Sequence, residues 1–321
     1  MKKHALFWIL GASALVAVCF AGLCLGSGGI SIAIKALAGS DVTSSAIFFE
    51  IRLPRVLMAG SAGCVLASSG LIFQTVLRNP LSEPYILGIS GGAAIGVICA
   101  RLFNLPPLFE GIAAFAGGLS TLGTVLAVGI RRGSAGLLLS GVMVNSFCGA
   151  VILFAVSLLQ MRDLTSVMFW FLGDLGSADL AASLIWTTLL ISGCCLISRF
   201  WHALDLLLLG EDAAQSLGLS SRKAAAGFLA CSSLLTSACV CAAGPIGFVG
   251  LLVPHFLRLA FGSGHRFLFP ACMLCGAVFL IACDAFVRLL PFEGEMPIGV
   301  ATALIGAPAF IFLLMKSTGQ N

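Results

Sequence analysis

Charged residues are scarce in this 321-residue chain, where Asp, Glu, Lys and Arg together make up only 9% of the positions. Soluble domains carry about 25% charged residues, so an ordinary water-soluble enzyme is excluded. Disorder is excluded as well, because 60% of the residues are hydrophobic and the mean hydropathy is +1.12, and so apolar a chain does not stay solvated. Segments that alternate strictly between apolar and polar residues are also missing, which excludes a membrane β-barrel.

Concentrated positive charge is lacking too. The formal net charge is only +4 and the basic residues are scattered, which argues against nucleic acid as a partner. The 13 cysteines are an odd number and most lie inside apolar runs, so no disulfide framework is implied. Cys272 and Cys275 have the spacing of a metal or redox pair, but no His or second pair follows at ligand spacing. We interpret the cysteines as small, buried packing residues.

What the chain does contain is a series of long apolar runs separated by short polar clusters, the pattern of a polytopic helical membrane protein. We predict an all-α fold of about ten transmembrane helices, forming a single transmembrane domain over residues 1–321. The first run could be a signal peptide, but its apolar stretch of about twenty residues is too long and no A-x-A cleavage site follows. The runs lie at about 1–25, 56–77, 86–103, 108–130, 136–160, 180–199, 223–243, 246–261, 268–290 and 297–315.

The basic residues set the predicted orientation, because cytoplasmic loops of membrane proteins are enriched in Lys and Arg. With the N-terminus inside, 11 of the 17 basic residues fall on the cytoplasmic side and 6 on the outer side. Both the N-terminus and the C-terminus are therefore predicted to be cytoplasmic. The six outer basic residues are Lys35, Arg52, Arg55, Arg101, Arg162 and Arg288.

Two loops between the predicted spans are expected to contain short helices of their own. In the cytoplasmic loop 205–223, Glu211 and Asp212 favour the first turn of a helix, and Gly218 favours its end. Such a helix suits docking of a cytoplasmic partner, while an ordinary interfacial turn is the alternative. The outer loop 165–179 is predicted to form a short interfacial helix followed by a Gly-containing loop.

Three stretches of the sequence stand out as motifs. They are IRLPRVLMAGSAGCVLASSGLIFQTVLRNPLSEPYILGISGGA at 51–93, AGPIGFVGLLVPHFLRL at 243–259 with GHR at 264–266, and DAFVRLLPFEGEMPIGVATALIGAPAFIFLL at 284–314. Together with the cytoplasmic LGEDAAQSLGL, they resemble the FecCD-type permeases of ABC importers, the family that imports iron-siderophore complexes, haem and cobalamin. The resemblance covers nearly the whole chain, in the right order and at the right spacing.

The resemblance implies a transport subunit of the cytoplasmic (inner) membrane rather than an enzyme. It implies pairing with a second permease copy (a homodimer in the simplest case), with two ATPase subunits and with a periplasmic or lipid-anchored substrate-binding protein. ATP and Mg²⁺ would bind to the ATPases, and no cofactor would bind to this chain. The sequence agrees: a phosphate-binding P-loop needs G-x-x-x-x-G-K-[ST], yet at Lys316, the only Lys followed by Ser or Thr, Met315 replaces the required Gly.

Three arginines are predicted at the outer ends of spans, Arg52 and Arg55 on the second span and Arg288 on the ninth. In the resembling family, arginines at these positions meet carboxylates of the binding protein, and a guanidinium offers a carboxylate a bidentate match. The alternative is that they anchor helix ends, with Asp284 neutralising Arg288 from one helical turn away.

Asn79, Pro80 and Leu81 follow the second span at its cytoplasmic end, where Pro80 stops the helix from continuing. The resemblance implies that this turn helps to form a cytoplasmic gate, with Asn79 and Leu81 near the pathway. A purely structural turn is the alternative.

The resemblance also implies that the segment 205–218 couples the permease to its ATPase. Ala214 and Leu217 would give the short helix in this segment a small apolar face. The implied coupling residues are Gly210, Glu211, Asp212, Ala214, Leu217 and Gly218.

Three further features lie in the second motif and after it. The segment 244–248 is predicted to make a tight reversal at the outer side, with a packing role. His255 lies within the eighth span, and an intramembrane His is a functional candidate by default. His265 and Arg266 are interpreted as part of a solvated cytoplasmic loop.

Two other classes of protein compete with this interpretation. Gly88-Ile89-Ser90-Gly91 matches the G-x-S-G string of rhomboid-type intramembrane serine proteases, with His255 as the possible base, although so short a match is weak in a chain with 38 glycines. An ion-coupled secondary transporter would need intramembrane carboxylates, and Asp284, the deepest acidic residue, already has Arg288 beside it. Within the importer class we favour a ferric siderophore as cargo, with haem and cobalamin as alternatives.

Overall fold

The computed structural model describes residues 2–26, 29–158, 161–176, 179–289 and 296–318, and the regular elements in these ranges are all helical. Fifteen α-helices are numbered along them. They are α1 (Lys2–Cys24), α2 (Gly29–Leu37), α3 (Val42–Ala46), α4 (Leu53–Val76), α5 (Ile89–Leu102), α6 (Pro107–Gly129), α7 (Gly133–Val156), α8 (Met161–Phe171), α9 (Leu180–Ser198), α10 (Trp201–Leu209), α11 (Glu211–Ser216), α12 (Ser221–Ala243), α13 (Val249–Phe261), α14 (His265–Val287) and α15 (Ile298–Thr318).

Six stretches of the described residues are long and apolar enough to cross a membrane. One of them, 109–156, contains both α6 and α7, which reverse at the 3₁₀ turn Ile130–Arg132. With α15 and the two shorter apolar helices α5 and α13, the number of apolar helices in the described ranges reaches the ten that the sequence predicts. The all-α polytopic fold is therefore confirmed.

Helix α4 forms the centre of the molecule. The most apolar window of the stretch that contains it is 89% buried, and α9, α12, α13 and α14 pack around it. Its close approaches use glycine: a Cβ at Gly63 would collide with the backbone of Gly276 in α14, and a Cβ at Gly70 would collide with the backbone of Gly250 in α13. Small residues let helices approach in this way where lipid supplies no hydrophobic driving force.

Helices α5 and α13 are too short to cross the membrane. With 14 and 13 residues they are about 20 Å long, against about 30 Å of hydrocarbon. Their first turns lie at the middle of longer neighbours, since Gly88 lies beside Val144 of α7, and Gly250 lies beside Leu66 of α4. The irregular residues that precede α5 and α13 therefore lie at membrane depth. Non-helical backbone is tolerated there only where protein encloses it.

The segment 244–248 was predicted to reverse tightly at the outer side, but in the structure it extends toward the middle of the bundle. The chain does reverse here, and at the outer end the Ala243 carbonyl accepts a hydrogen bond from the Asp174 N–H (2.9 Å). The segment then continues inward, so that α13 begins against the middle of α4 and not at the outer surface. A Gly-Pro pair predicts a break in a helix but does not reveal how far the chain travels before the next helix begins.

Several short helices lie outside the ten spans. The outer helix predicted in the loop 165–179 is present as α8. The cytoplasmic one is present as α11, which begins at Glu211 and is followed by Gly218 in the left-handed region (φ +86°). On the outer side, Asp41 caps α3, and its hydrogen bonds with the Ser44 hydroxyl and the N–H groups of Thr43 and Ser44 lower the pKa of its carboxyl group.

Candidate functional site

The outer ends of α4 and α14 are joined by a buried ion cluster. The Arg55 Nε lies 2.7 Å from one oxygen of Asp284, and the Arg288 Nη2 lies 2.9 Å from the other. The Asp284 side chain is completely buried and that of Arg288 is 12% exposed. We call these three residues the outer cluster. A buried carboxylate between two guanidinium groups is compensated in charge, and removing it would leave excess positive charge in a dry site.

Arg52 is buried as well, at 4% exposure. Its Nη1 donates hydrogen bonds to the carbonyls of Leu23 (2.9 Å) and Cys24 (3.2 Å) at the end of α1. These carbonyls belong to the last turn of a helix, which has no intrahelical donors. Arg52 therefore anchors a helix end, and Asp284 pairs with Arg288, as the alternative interpretation of the outer arginines expects. In this structure neither Arg52 nor Arg55 is presented on the surface.

The turn after α4 has the geometry that its sequence predicts. The Asn79 Oδ1 accepts the N–H of Leu81 (2.9 Å), which closes an Asx turn around Pro80. Arg78, just before the turn, adopts a left-handed conformation (φ +50°). The Leu81 side chain is 45% exposed at this cytoplasmic end, so the predicted gate residues lie on a strained, accessible turn.

The chain from this turn to the start of α5, residues 79–88, is irregular and lies against the irregular segment 244–248. The Tyr85 hydroxyl accepts the N–H of Ile246 (3.0 Å). Phe248, two residues further on, has φ +69°, a rare conformation for a bulky residue. A side chain of the irregular stretch 79–88 therefore satisfies a backbone group of the irregular stretch 244–248 within the bundle.

Gln74 compensates for a proline in α13. Pro254 has no N–H, so the carbonyl of Gly250 loses its intrahelical donor. The Gln74 Nε2 donates instead to the carbonyls of Gly250 (3.3 Å) and Leu251 (3.1 Å). Sequence reasoning missed this residue, although a polar amide near the end of an apolar helix is a signal that could have found it.

A second buried cluster joins the cytoplasmic ends of α4 and α14. The His265 Nδ1 lies 2.7 Å from the Asp205 Oδ1, and its Nε2 lies 2.8 Å from the Thr75 Oγ1. The Arg258 Nη2 donates to the same Thr75 oxygen (3.4 Å). We call Thr75, Asp205, Arg258 and His265 the inner cluster. The interpretation of His265 as part of a solvated loop is wrong, because its side chain is completely buried by partners far away in sequence.

The predicted coupling helix α11 follows α10 directly, through Gly210 (φ +119°). Ala214 is completely buried, whereas Leu217 is 62% exposed. The expected apolar face that these two residues would share is therefore wrong, because Ala214 packs inward and leaves Leu217 to face the cytoplasm. The Glu211 side chain lies outside the described part of the structure.

A cavity of about 690 Å³ opens beside the outer cluster. Arg55, Trp170 and Asp174 contribute to its lining, together with Arg101 and Glu110, whose Nη2 and Oε2 atoms lie 2.8 Å apart in a partly exposed ion pair. The cavity lies between α5, α6, α8 and α12, and it gives the outer half of the bundle a polar recess.

The two competing classes find little support in the geometry. The His255 Nε2 has no hydrogen-bond partner among the described residues and the ring lies edge-on to Phe310, so this nitrogen forms no dyad with Ser90. Asp284, the carboxylate that an ion-coupled transporter would need, is held by two arginines. No group of three His, Cys, Asp or Glu residues in the described ranges is arranged to hold a metal ion.

The described ranges thus form a membrane-spanning bundle of ten apolar helices, two of them too short to cross the membrane, with interlocked broken segments and a short cytoplasmic helix. Residues 14–316 match the model of the FecCD transport family, and the chain belongs to that family. The resemblance stated from the sequence is thereby confirmed.

Individual relatives span nearly the same length as this chain. The hemin transport system permease protein HmuU of Yersinia pestis is 38% identical over 313 residues, which are 93% of each chain. The vitamin B12 import system permease protein BtuC of Salmonella arizonae is 37% identical over 328 residues, covering 98% of this chain and 96% of its own. A solved inward-facing structure of a putative metal-chelate type ABC transporter superposes with a TM-score of 0.88 at 29% identity, covering 96% of this chain and 98% of that one.

Proposed function

We propose that this chain is the membrane-spanning permease subunit of an ATP-driven importer that carries a metal chelate across the cytoplasmic membrane. The observation that carries the proposal is the family match over residues 14–316, which takes in both broken segments and α11. Two copies of the chain form the pathway, two ATPase subunits bind ATP and Mg²⁺, and a periplasmic or lipid-anchored protein delivers the cargo. The chain itself binds no cofactor and catalyses no reaction.

The cargo is proposed to be an iron chelate. A ferric siderophore is the first candidate from the sequence motifs. Haem and cobalamin are supported by the names of the permeases from Yersinia pestis and Salmonella arizonae, each more than a third identical to this chain. The three candidates share one chemical feature, since each is a chelate of a transition metal.

The cargo is tested by uptake in a strain that lacks this permease and in the same strain complemented with it. Labelled ferric siderophore, haem and cobalamin are offered side by side, with the other two unlabelled as competitors. Loss of one cargo in the deletion strain, restored by the complement, names the ligand. Loss of cobalamin uptake alone would show that the cargo is a cobalt chelate and that the iron-chelate proposal is wrong. If uptake of all three is unchanged, the metal-chelate proposal is wrong and oxyanions are tested next.

Coupling is proposed to run through α11. Closure of the ATPases would push on the segment 205–218 and switch the paired permeases between outward and inward access. Leu217, directly after α11, is 62% exposed, so this segment is accessible to a cytoplasmic partner. Deleting 211–218 is expected to leave ATP hydrolysis by the assembled complex while abolishing uptake. Uptake that survives the deletion would show that this helix is not the coupling element.

Docking of the binding protein is proposed to occur at the outer arginines Arg52, Arg55 and Arg288. Arg288 supports this role best, because its side chain retains 12% exposure and lies at the end of α14. Arg52 and Arg55 are buried, and they are proposed to contribute indirectly, by keeping the outer end of the bundle positively charged. The turn Asn79–Leu81 is proposed as the cytoplasmic gate.

A further inference from the structure

The inner cluster joins four helices at the cytoplasmic end of the permease. Thr75 lies in the last turn of α4, Asp205 in α10, Arg258 in α13, and His265 is the first residue of α14. The His265 ring lies between the other elements, with one nitrogen 2.7 Å from the Asp205 carboxylate and the other 2.8 Å from the Thr75 hydroxyl. The ring thus forms a rigid bridge from α10 to α4.

A second contact fixes the bridge to α10. The backbone N–H of His265 also donates to the Asp205 Oδ1 (2.9 Å), which places a carboxylate at the N-terminus of α14, where it is favoured. The Asp205 side chain is 34% exposed while His265 is completely buried. The cluster therefore leads from the cytoplasmic surface into the protein interior.

The two helices joined by the bridge lead into the proposed coupling segment and the proposed gate. Helix α10 continues through Gly210 into α11, the proposed contact with the ATPase. Helix α4 continues through Arg78 into the proposed gate. Arg78 strengthens the connection, because its Nη2 donates to the carbonyl of Leu207 in α10 (3.3 Å).

We propose that His265 is a positioning residue that transmits displacement of α10 and α11 to the cytoplasmic end of α4 and the gate turn. The proposal rests on the proposed function, in which α11 meets an ATPase. A flexible contact would absorb such a displacement. A planar ring that is hydrogen-bonded on both sides and enclosed by four helices instead transmits it.

The test uses the whole complex, with permease, ATPases and binding protein reconstituted in liposomes. Uptake of whichever labelled cargo the deletion strain has lost (ferric siderophore, haem or cobalamin) is measured together with ATP hydrolysis. In His265→Phe we expect ATP hydrolysis to stay within about twofold of the wild type, while uptake per ATP falls about tenfold, as loss of the ring's two buried hydrogen bonds allows. His202→Ala, an exposed histidine of the same helix α10, is the matched control and is expected to transport normally.

A pair of variants at Asp205 separates transmission from simple stability. Asp205→Asn keeps an oxygen that accepts from the His265 N–H and Nδ1–H, so coupling is expected to persist. Asp205→Leu has similar size and no acceptor, so uptake per ATP is expected to fall as in His265→Phe. Equal coupling in the two Asp205 variants would overturn the proposal even if His265→Phe fails to assemble.

The outcomes separate this inference from the proposed function. A wild-type complex with no ATP-dependent uptake of any of the three cargoes would contradict the proposed function itself. A wild-type complex that transports, with an unchanged ratio of uptake to ATP in His265→Phe, would overturn only the role of His265.

Discussion

Helices α4 and α14 run side by side and are joined near both ends, yet the two junctions differ in chemistry. The outer cluster is ionic, lies between these two helices, and has both carboxylate oxygens of Asp284 occupied by arginines. The inner cluster depends on a histidine ring and a hydroxyl, and it extends to α10 and α13. The outer junction therefore involves only this helix pair, whereas the inner junction also connects the pair to α10 and, through it, to the proposed coupling helix α11.

The largest effect is expected from breaking the outer cluster. Asp284→Leu would remove the carboxylate that faces Arg55 and Arg288 and leave positive charge buried. Such a change costs about 3–5 kcal/mol, so the variant is expected to lose most of its yield or its thermal stability in detergent. Glu110→Ala is the control, because it removes the partly exposed ion pair with Arg101 and is expected to cost less than about 1 kcal/mol. Equal losses in the two variants would refute the structural role of the outer cluster.

Between the two clusters, α4 packs closely against α13, and glycine substitutions test how tight this packing is. Gly70→Ala would place a Cβ against the backbone of Gly250 in α13, whereas nothing lies within 4 Å of a Cβ at Gly123 of α6. We expect Gly70→Ala to destabilise the protein by about 1–3 kcal/mol, the cost of overpacking. Gly123→Ala is expected to be neutral or slightly stabilising in a thermal-shift measurement, because Ala favours helices over Gly. A tolerated Gly70→Ala would mean that α13 is less tightly held than the structure indicates.

The accessible part of the outer cluster provides a functional test. Arg288→Gln is expected to weaken docking of the binding protein about tenfold, or about 1.4 kcal/mol, because the guanidinium that would pair with a carboxylate of the binding protein is lost, while no second carboxylate is placed beside Asp284. Arg101→Gln, at the same side of the membrane, is the matched control. Affinity is measured with the permease complex in lipid nanodiscs, using variants whose thermal stability matches the wild type. An unchanged Kd for Arg288→Gln would remove this arginine from the docking surface.

The smallest loss of stability is expected at the α4 side of the inner cluster. Thr75→Val keeps the size of the side chain and removes the oxygen that faces His265 and Arg258. We expect a cost of about 1 kcal/mol, since Asp205 continues to hold the ring. Chemical denaturation measures it, with Thr124→Val on the exposed face of α6 as the control. A loss as large as that of Asp284→Leu would show that the inner cluster is a structural junction like the outer one.

The sequence was sufficient to predict the parts of the fold that depend on local patterns. The ten apolar runs predicted ten helices because length and hydropathy are properties of contiguous residues. The acidic pair before Ala213 and the glycine at 218 likewise predicted α11, since helix ends are set within one turn. The resemblance placed the chain in its family because the motifs are contiguous as well.

What sequence reasoning missed depends on distant residues. The Arg55–Asp284 bond spans 229 positions and the His265–Asp205 bond spans 60, and no pattern in a single sequence pairs such residues. The starting depth of α13 is set by the contact between Gly250 and Gly70 rather than by the Gly-Pro break itself. The error at Ala214 has the same origin, because a helical face points inward or outward according to what packs against it.

The position of α4 has a consequence for how the protein is made. This helix leaves the ribosome early, but its Arg55 meets Asp284 only after 229 further positions have been synthesised. An arginine in hydrocarbon costs about 2.5–3.5 kcal/mol on insertion scales, so α4 enters the bilayer with its charged end near an interface. It becomes the core helix only when the later helices assemble around it. The interior of this permease is therefore completed late in synthesis, by helix α14 near the opposite end of the chain.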